Sequence, residues 1–128
     1  MLDSLRWLRG NRDVHVVISD NSCATEELLQ IQTAVESFPN VQMLESSVNR
    51  GYFGGAVFAL EQYLASGHAL PDWTIVCNHD LRIEDEGFFA KLLREDPSTL
   101  GVIAPQIQTM PGGLHQNPFM RRRPGSLR

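Results

Sequence analysis

The chain is predicted to be an α/β protein, a mainly parallel sheet flanked by helices. Three observations predict it. Short β-branched runs alternate with longer segments of helical periodicity, each apolar run is too short to be an independent helix, and polar or glycine-rich clusters recur at the ends of successive runs. The 128 residues, 42% hydrophobic and 20% charged, suit one domain with a real core, and the division expected is a domain over 1–108 followed by an irregular basic tail over 109–128.

Taken in order, Leu2, Leu5 and Leu8 lie at helical spacing and stop at Gly10-Asn11, which predicts a short amphipathic helix. Val14 to Ser19 reads as a strand buried on both faces and ends in Asp20-Asn21-Ser22. Thr25 is placed to cap a helix that carries Glu26 and Glu27 in its first turn and Leu28, Ile31, Val35 and Phe38 as its core stripe, closed by Pro39-Asn40. A second strand, Val41 to Glu45, runs into Asn49-Arg50-Gly51-Tyr52-Phe53-Gly54-Gly55. The glycines there permit a tight loop before a helix that uses Val57, Leu60 and Leu64 and ends at Gly67. Trp73 to Cys77 is the expected third strand, stopping at Asn78-His79-Asp80. A helix from about Asp85 would bury Phe88, Phe89, Leu92 and Leu93 until Pro97, and Gly101 to Ile107 completes the expected strands.

Composition excludes several classes. A formal charge of -4 gives no field that favours nucleic acid. No segment reaches membrane-spanning length, and Asp3, Arg6 and Arg9 break any signal-peptide core. Cys23 and Cys77 form no spaced framework, so both are expected as free thiols in a reduced, cytoplasmic setting.

The informative feature is position. In open parallel sheets ligands bind beyond the carboxyl ends of the strands. The three clusters, at Asp20, Asn49 to Gly55 and Asn78 to Asp80, recur at about thirty residues, the length of one βαβ unit, and are expected on one rim. Asp20 offers a carboxylate for a base N–H or a ribose hydroxyl, although the same residues also suit a loop that caps the next helix. The glycine-rich segment precedes a helix N-terminus, where backbone N–H groups face an anion, yet it lacks the lysine and hydroxyl of a P-loop and the spacing of a dinucleotide fingerprint. A tight turn is its plainer reading. Asp80 is a hard ligand suited to Mg²⁺ or Mn²⁺, which would neutralise a diphosphate, and its plainer reading is a solvated turn.

Together these runs resemble family 2 glycosyltransferases of the GT-A fold, especially rhamnosyltransferase-like members. The runs are Val16-Val17-Ile18-Ser19-Asp20-Asn21-Ser22, Asn49 to Gly55, and Ile75-Val76-Cys77-Asn78-His79-Asp80, and the resemblance spans Val14 to Gln108. It implies a partial GT-A, Rossmann-like sheet and inverting transfer from a UDP- or dTDP-linked sugar. The implied nucleotide-sugar-binding set is Asp20, Asn21, Ser22, Asn49, Gly51, Gly54, Asn78, His79 and Asp80. Within it Asp20 would meet the base, Asn49 and Gly51 would shape the pocket, and Asp80 would bind the metal in a degenerate DXD motif with Asn78 at the first position. Pro105 to Ile107 resembles the strand that follows the motif. The implied acceptor is a polysaccharide or a lipid-linked glycan, the latter met at the inner face of the membrane.

The departures from that pattern are specific. The chain begins at the helix that should follow the family's first strand, Ala56 and Val57 stand where an asparagine usually follows the glycines, and the acceptor half with its carboxylate base would lie beyond Gln108. Direct displacement needs that base, and no residue here is assigned to it. The expectation is therefore a glycosyltransferase-type domain truncated at both ends, with a non-catalytic fragment or subunit as the alternative. A missing strand would also expose a sheet edge and favour a homodimer.

A receiver-like module is disfavoured because no lysine stands on the last expected strand, and a nucleotidyltransferase because its basic glycine-rich loop is absent. His115 as a further metal ligand and the arginines at 121–123 read more simply as solvated residues, and the acids at 84–86 as helix N-terminal charges. His15, Trp7 and Trp73 read as structural.

Overall fold

A computed structural model describes residues 13–21, 25–78, 80–85, 87–110 and 113. The expected N-terminal helix, with Trp7, and Ser22, Cys23, His79, His115 and the basic tail at 121–123 lie outside these residues. The chain divides into two compact units, Met1–Arg94 and Glu95–Arg128.

The first unit contains β1 (Val16–Asp20), α1 (Thr25–Val35), β2 (Val41–Glu45), α2 (Gly51–Ala65) and α3 (Phe88–Leu92). The strands pair in parallel, in a register that runs from Val16 opposite Val41 to Asp20 opposite Glu45. The α/β class is thus observed as a two-stranded parallel sheet with helices. Asn40 sets the amino end of the ladder. Its carbonyl accepts the Val16 N–H at 2.9 Å, and its side-chain amide donates to the Val14 carbonyl at 2.7 Å. At the other end, the Ser46 N–H donates to the Asp20 carbonyl at 3.2 Å and extends the pairing by one residue.

Alternation along β1 divides its side chains between two faces. Val16 and Ile18 pack with Val35, Phe38, Ile31 and Val41, so Ile31 and Val35 of the expected stripe, with Phe38 just after α1, cover that face. His15 and Ser19 face α2 instead, meeting Tyr63 and Gly55. One helix therefore lies on each side of the sheet. Gln32 of α1 also donates to the Glu45 carboxylate at 2.6 Å, tying the helix to the end of β2.

The buried face of α2 differs from the expected one. Gly55 and Ala59 are its buried residues, whereas Val57 is 57% and Phe53 73% exposed. The helix is apolar around most of its circumference, so periodicity does not identify its inner face. Close approach to β1 decides it, because only small side chains fit there. The helix ends at Gly67 as expected, with φ 89° and its N–H bonded to the Leu64 carbonyl at 3.0 Å.

Two expected strands are corrected. No residue of Trp73–Cys77 or Gly101–Ile107 belongs to a sheet. Their β-branched composition describes a chain suited to pleated pairing, but a ladder also requires a partner edge and burial. Ile75 and Val76 remain 44% and 40% exposed, and Val102 87%. The helix expected from Asp85 starts at Phe88, after Asp85 Oδ1 accepts the Gly87 N–H at 2.8 Å. It leaves Leu93 exposed rather than buried. In the second unit, Asp96 accepts from the Ser98 hydroxyl and N–H and closes a turn, and these bonds lower its carboxyl pKa.

Among the described residues, the core is centred on Val35 and Phe38. Phe38→Ala should therefore cost about 3 kcal/mol or more, while Leu29→Ala, at an exposed position of the same region, should stay within about 0.5 kcal/mol. Urea unfolding of both variants checks the contrast. The Lys91 ammonium, hydrogen-bonded to Asp85 at 2.6 Å, and then the Gly87 N–H hold the Asp85 carboxyl below its ordinary pKa. The resulting stabilisation is present above the unfolded carboxylate range and is lost as pH falls through the folded value. Lys91→Met should move the Asp85 titration upward in a carboxyl NMR experiment.

Candidate functional site

The carboxyl end of β1 meets the start of α2 through Asn21. Its Oδ1 accepts the Arg50 N–H at 3.2 Å, and its Nδ2 donates to the Gly51 carbonyl at 3.4 Å. Asn49 supplies the next contact, its Oδ1 accepting the Gly51 N–H at 2.8 Å. Gly51 has φ 68°, a left-handed conformation that a side chain would strain, so the turn into α2 depends on glycine here. Gly55 permits the clamp by a different route. A Cβ there would stand 3.0 Å from Asn21 Nδ2 and 3.5 Å from Ser19 Oγ.

A second set of bonds positions Arg50. The buried Ser46 hydroxyl donates to the Val48 carbonyl at 2.7 Å and accepts from Arg50 Nε at 3.0 Å. The guanidinium lies over the Phe58 ring at 4.4 Å, a cation–π contact. Arg50 is nevertheless exposed, and the first turn of α2 contains no acidic residue. The positive end of the helix dipole and a fixed guanidinium therefore reinforce each other. Beside them, Tyr52 and Phe53 pack edge to face at 5.0 Å and remain 47% and 73% exposed.

Of the residues expected from the sequence, Asn21, Asn49 and Gly51 are joined directly. Asp20 ends β1 and is held through its backbone carbonyl by Ser46. Gly54 lies in the first turn of α2, where a Cβ would press within 3.2 Å of Arg50 Cβ. Asn78 and Asp80 are exposed, in a turn closed by the Leu81 N–H and the Asn78 carbonyl at 3.3 Å. Among the described residues, no hydrogen bond or ion pair joins them to the Asn21 clamp. Two of the three clusters thus meet on one rim through hydrogen bonds. Cys77, just before this turn, is exposed as a residue, but partial shielding of its thiol raises the pKa above the usual value.

Sequence reasoning missed Ser46 and gave no role to Arg50. An ordinary serine after a strand carries no pattern, and only the packed loop reveals it as the acceptor for Arg50. Ser19 is a further find. Its hydroxyl is shielded and has no hydrogen-bond partner among the described residues.

Among the described residues, no three of His, Cys, Asp and Glu gather closely enough to hold a metal by themselves. No helix of the described residues is long and apolar enough to cross a membrane. The sequence matches no protein-family model, no curated protein and no solved structure.

The clamp predicts a stability pattern. Asn21→Ala should cost about 1 kcal/mol through its lost hydrogen bonds, and Gly55→Ala about 1–3 kcal/mol through crowding of the same amide. In the double variant the two costs should not add, because both act on one contact. Ser19→Ala should be neutral or stabilising, since it removes a shielded hydroxyl without a protein partner. Chemical denaturation of the four variants measures all of this.

Proposed function

We propose that this chain is a glycosyltransferase-type domain that binds a nucleoside-diphosphate sugar together with a divalent metal. One observation carries the reading. At the carboxyl ends of two parallel strands, Asn21 and Asn49 organise a glycine-initiated helix whose first turn lacks acids and whose entrance holds an anchored arginine. With the Arg50 and Gly51 N–H groups taken by Asn21 and Asn49, such a terminus offers phosphate oxygens the N–H groups of Tyr52 and Phe53, which have no intrahelical partner, and the Arg50 guanidinium. The exposed rings of Tyr52 and Phe53 beside it suit the flat face of a nucleoside base.

In this reading Asp20 accepts from the base or ribose, and Arg50 with the first turn of α2 faces the diphosphate. Asp80 contributes a carboxylate to Mg²⁺ or Mn²⁺, which would neutralise the diphosphate as a leaving group. The resemblance to family 2 glycosyltransferases supports the sugar and the inverting outcome. The clamp supports nucleotide binding independently of that resemblance.

Calorimetric titration with UDP and dTDP, with and without Mn²⁺, tests the proposal. Arg50→Ala should weaken nucleotide binding by about tenfold, and Asp80→Ala should remove only the metal-dependent part. An absence of binding at millimolar nucleotide, or unchanged binding in the Arg50 variant, would overturn the assignment.

A further inference from the structure

At the opposite, amino ends of β1 and β2 lies a group that the nucleotide reading does not use. There His15, just before β1, meets Tyr63 near the end of α2 and His68 just after it. Tyr63 and His68 stack with centroids 4.3 Å apart and planes 8° from parallel. The His15 ring stands 5.3 Å from His68 and 5.7 Å from Tyr63. They border a cleft of about 190 Å³, which Asn40 and Gln42 also line.

The backbone is fixed on both sides of His15 and on the amino side of His68. Asn40 bonds the Val14 carbonyl and the Val16 N–H, so it brackets His15. His68 follows the left-handed Gly67, after the Ser66 and Gly67 N–H groups have closed the end of α2 on Gln62 and Leu64. Tyr63, one turn before that end, holds the His68 ring in its stack. Both histidines are exposed residues at the border of this cleft.

We infer that His15 and His68 form a two-imidazole site for a borderline divalent transition ion such as Zn²⁺. Imidazole nitrogen suits this class of ion, whereas Mg²⁺ and Mn²⁺ prefer oxygen ligands. With a Zn–N bond of about 2.0–2.1 Å and the ring centre about 1.1 Å further out, two imidazoles at a tetrahedral angle have centroids about 5.2 Å apart. His15 and His68 stand at 5.3 Å. Water completes the coordination shell in the open cleft. The bound ion ties the entrance of β1 to the segment after α2, so binding stabilises the folded first unit by mass action. This inference does not depend on the nucleotide proposal, because it uses other residues at the other end of the strands.

Titration of the full chain with zinc chloride, in the absence of nucleotide, tests it. One ion should bind per chain, raising the thermal midpoint, and His15→Ala and His68→Ala should each weaken binding about tenfold or more. Tyr63→Phe, which keeps the ring stack, should bind as the parent does, as should His79→Ala, His115→Ala, Cys23→Ser and Cys77→Ser. Imidazole NMR resonances of the unmodified chain give a readout free of any folding defect, and zinc should shift those of His15 and His68 selectively. No binding at millimolar zinc, shifts confined to His79 or His115, or full affinity in the double variant lacking His15 and His68 would overturn the site.

Discussion

The parallel pairing of Val16–Asp20 with Val41–Glu45 is the constraint from which the rest of the first unit follows. A parallel pair cannot be closed by a tight turn, so a crossover is required, and α1 supplies it. Once α1 crosses one face, Val35 and Phe38 have Val16, Ile18 and Val41 to pack on. The other face of β1 is left for α2. Both strands then end on the same side, and that alone brings Asn21 beside the loop that leaves β2.

Asparagine appears at both ends of this ladder, with a different task at each. Asn40 combines a backbone acceptor and a side-chain donor around His15, fixing where β1 begins. Asn21 uses both halves of its amide on consecutive residues, Arg50 and Gly51, and fixes where α2 begins. An aspartate at position 21 would keep the acceptor and lose the donor. Gly55 completes the arrangement from within the helix by leaving room for that amide. The polar pieces and the small residues therefore form one device rather than two.

Much of this was legible beforehand. The strand ends, the core stripe of α1, the glycine stop of α2 and the convergence of Asn21 with the Asn49–Gly51 turn follow from residue pattern and from the rule that parallel strands gather ligands at their carboxyl ends. The inner face of α2 was not legible. Val57 and Leu64 have the larger hydrophobic gain, but the helix approaches β1 too closely to admit them, so Gly55 and Ala59 take the interior. Nor could the runs at Trp73–Cys77 and Gly101–Ile107 disclose that they would stay outside the sheet, since propensity does not specify a partner edge. The meeting of His15 with His68 was hidden because it depends on contacts between segments distant in the chain, whereas the Ser46 hydroxyl bonds its near neighbours Val48 and Arg50 and was hidden because a lone serine after a strand carries no pattern.

Local sequence thus determined the elements whose cause is itself local: the runs that form β1 and β2, the glycine turns and the apolar repeat of α1. Tertiary structure decided which runs pair, which face of an all-round apolar helix turns inward, and which polar side chains find partners. The physical division is one of range. Steric and capping preferences act over a few residues, whereas burial and pairing are settled only when separate segments compete for the same space.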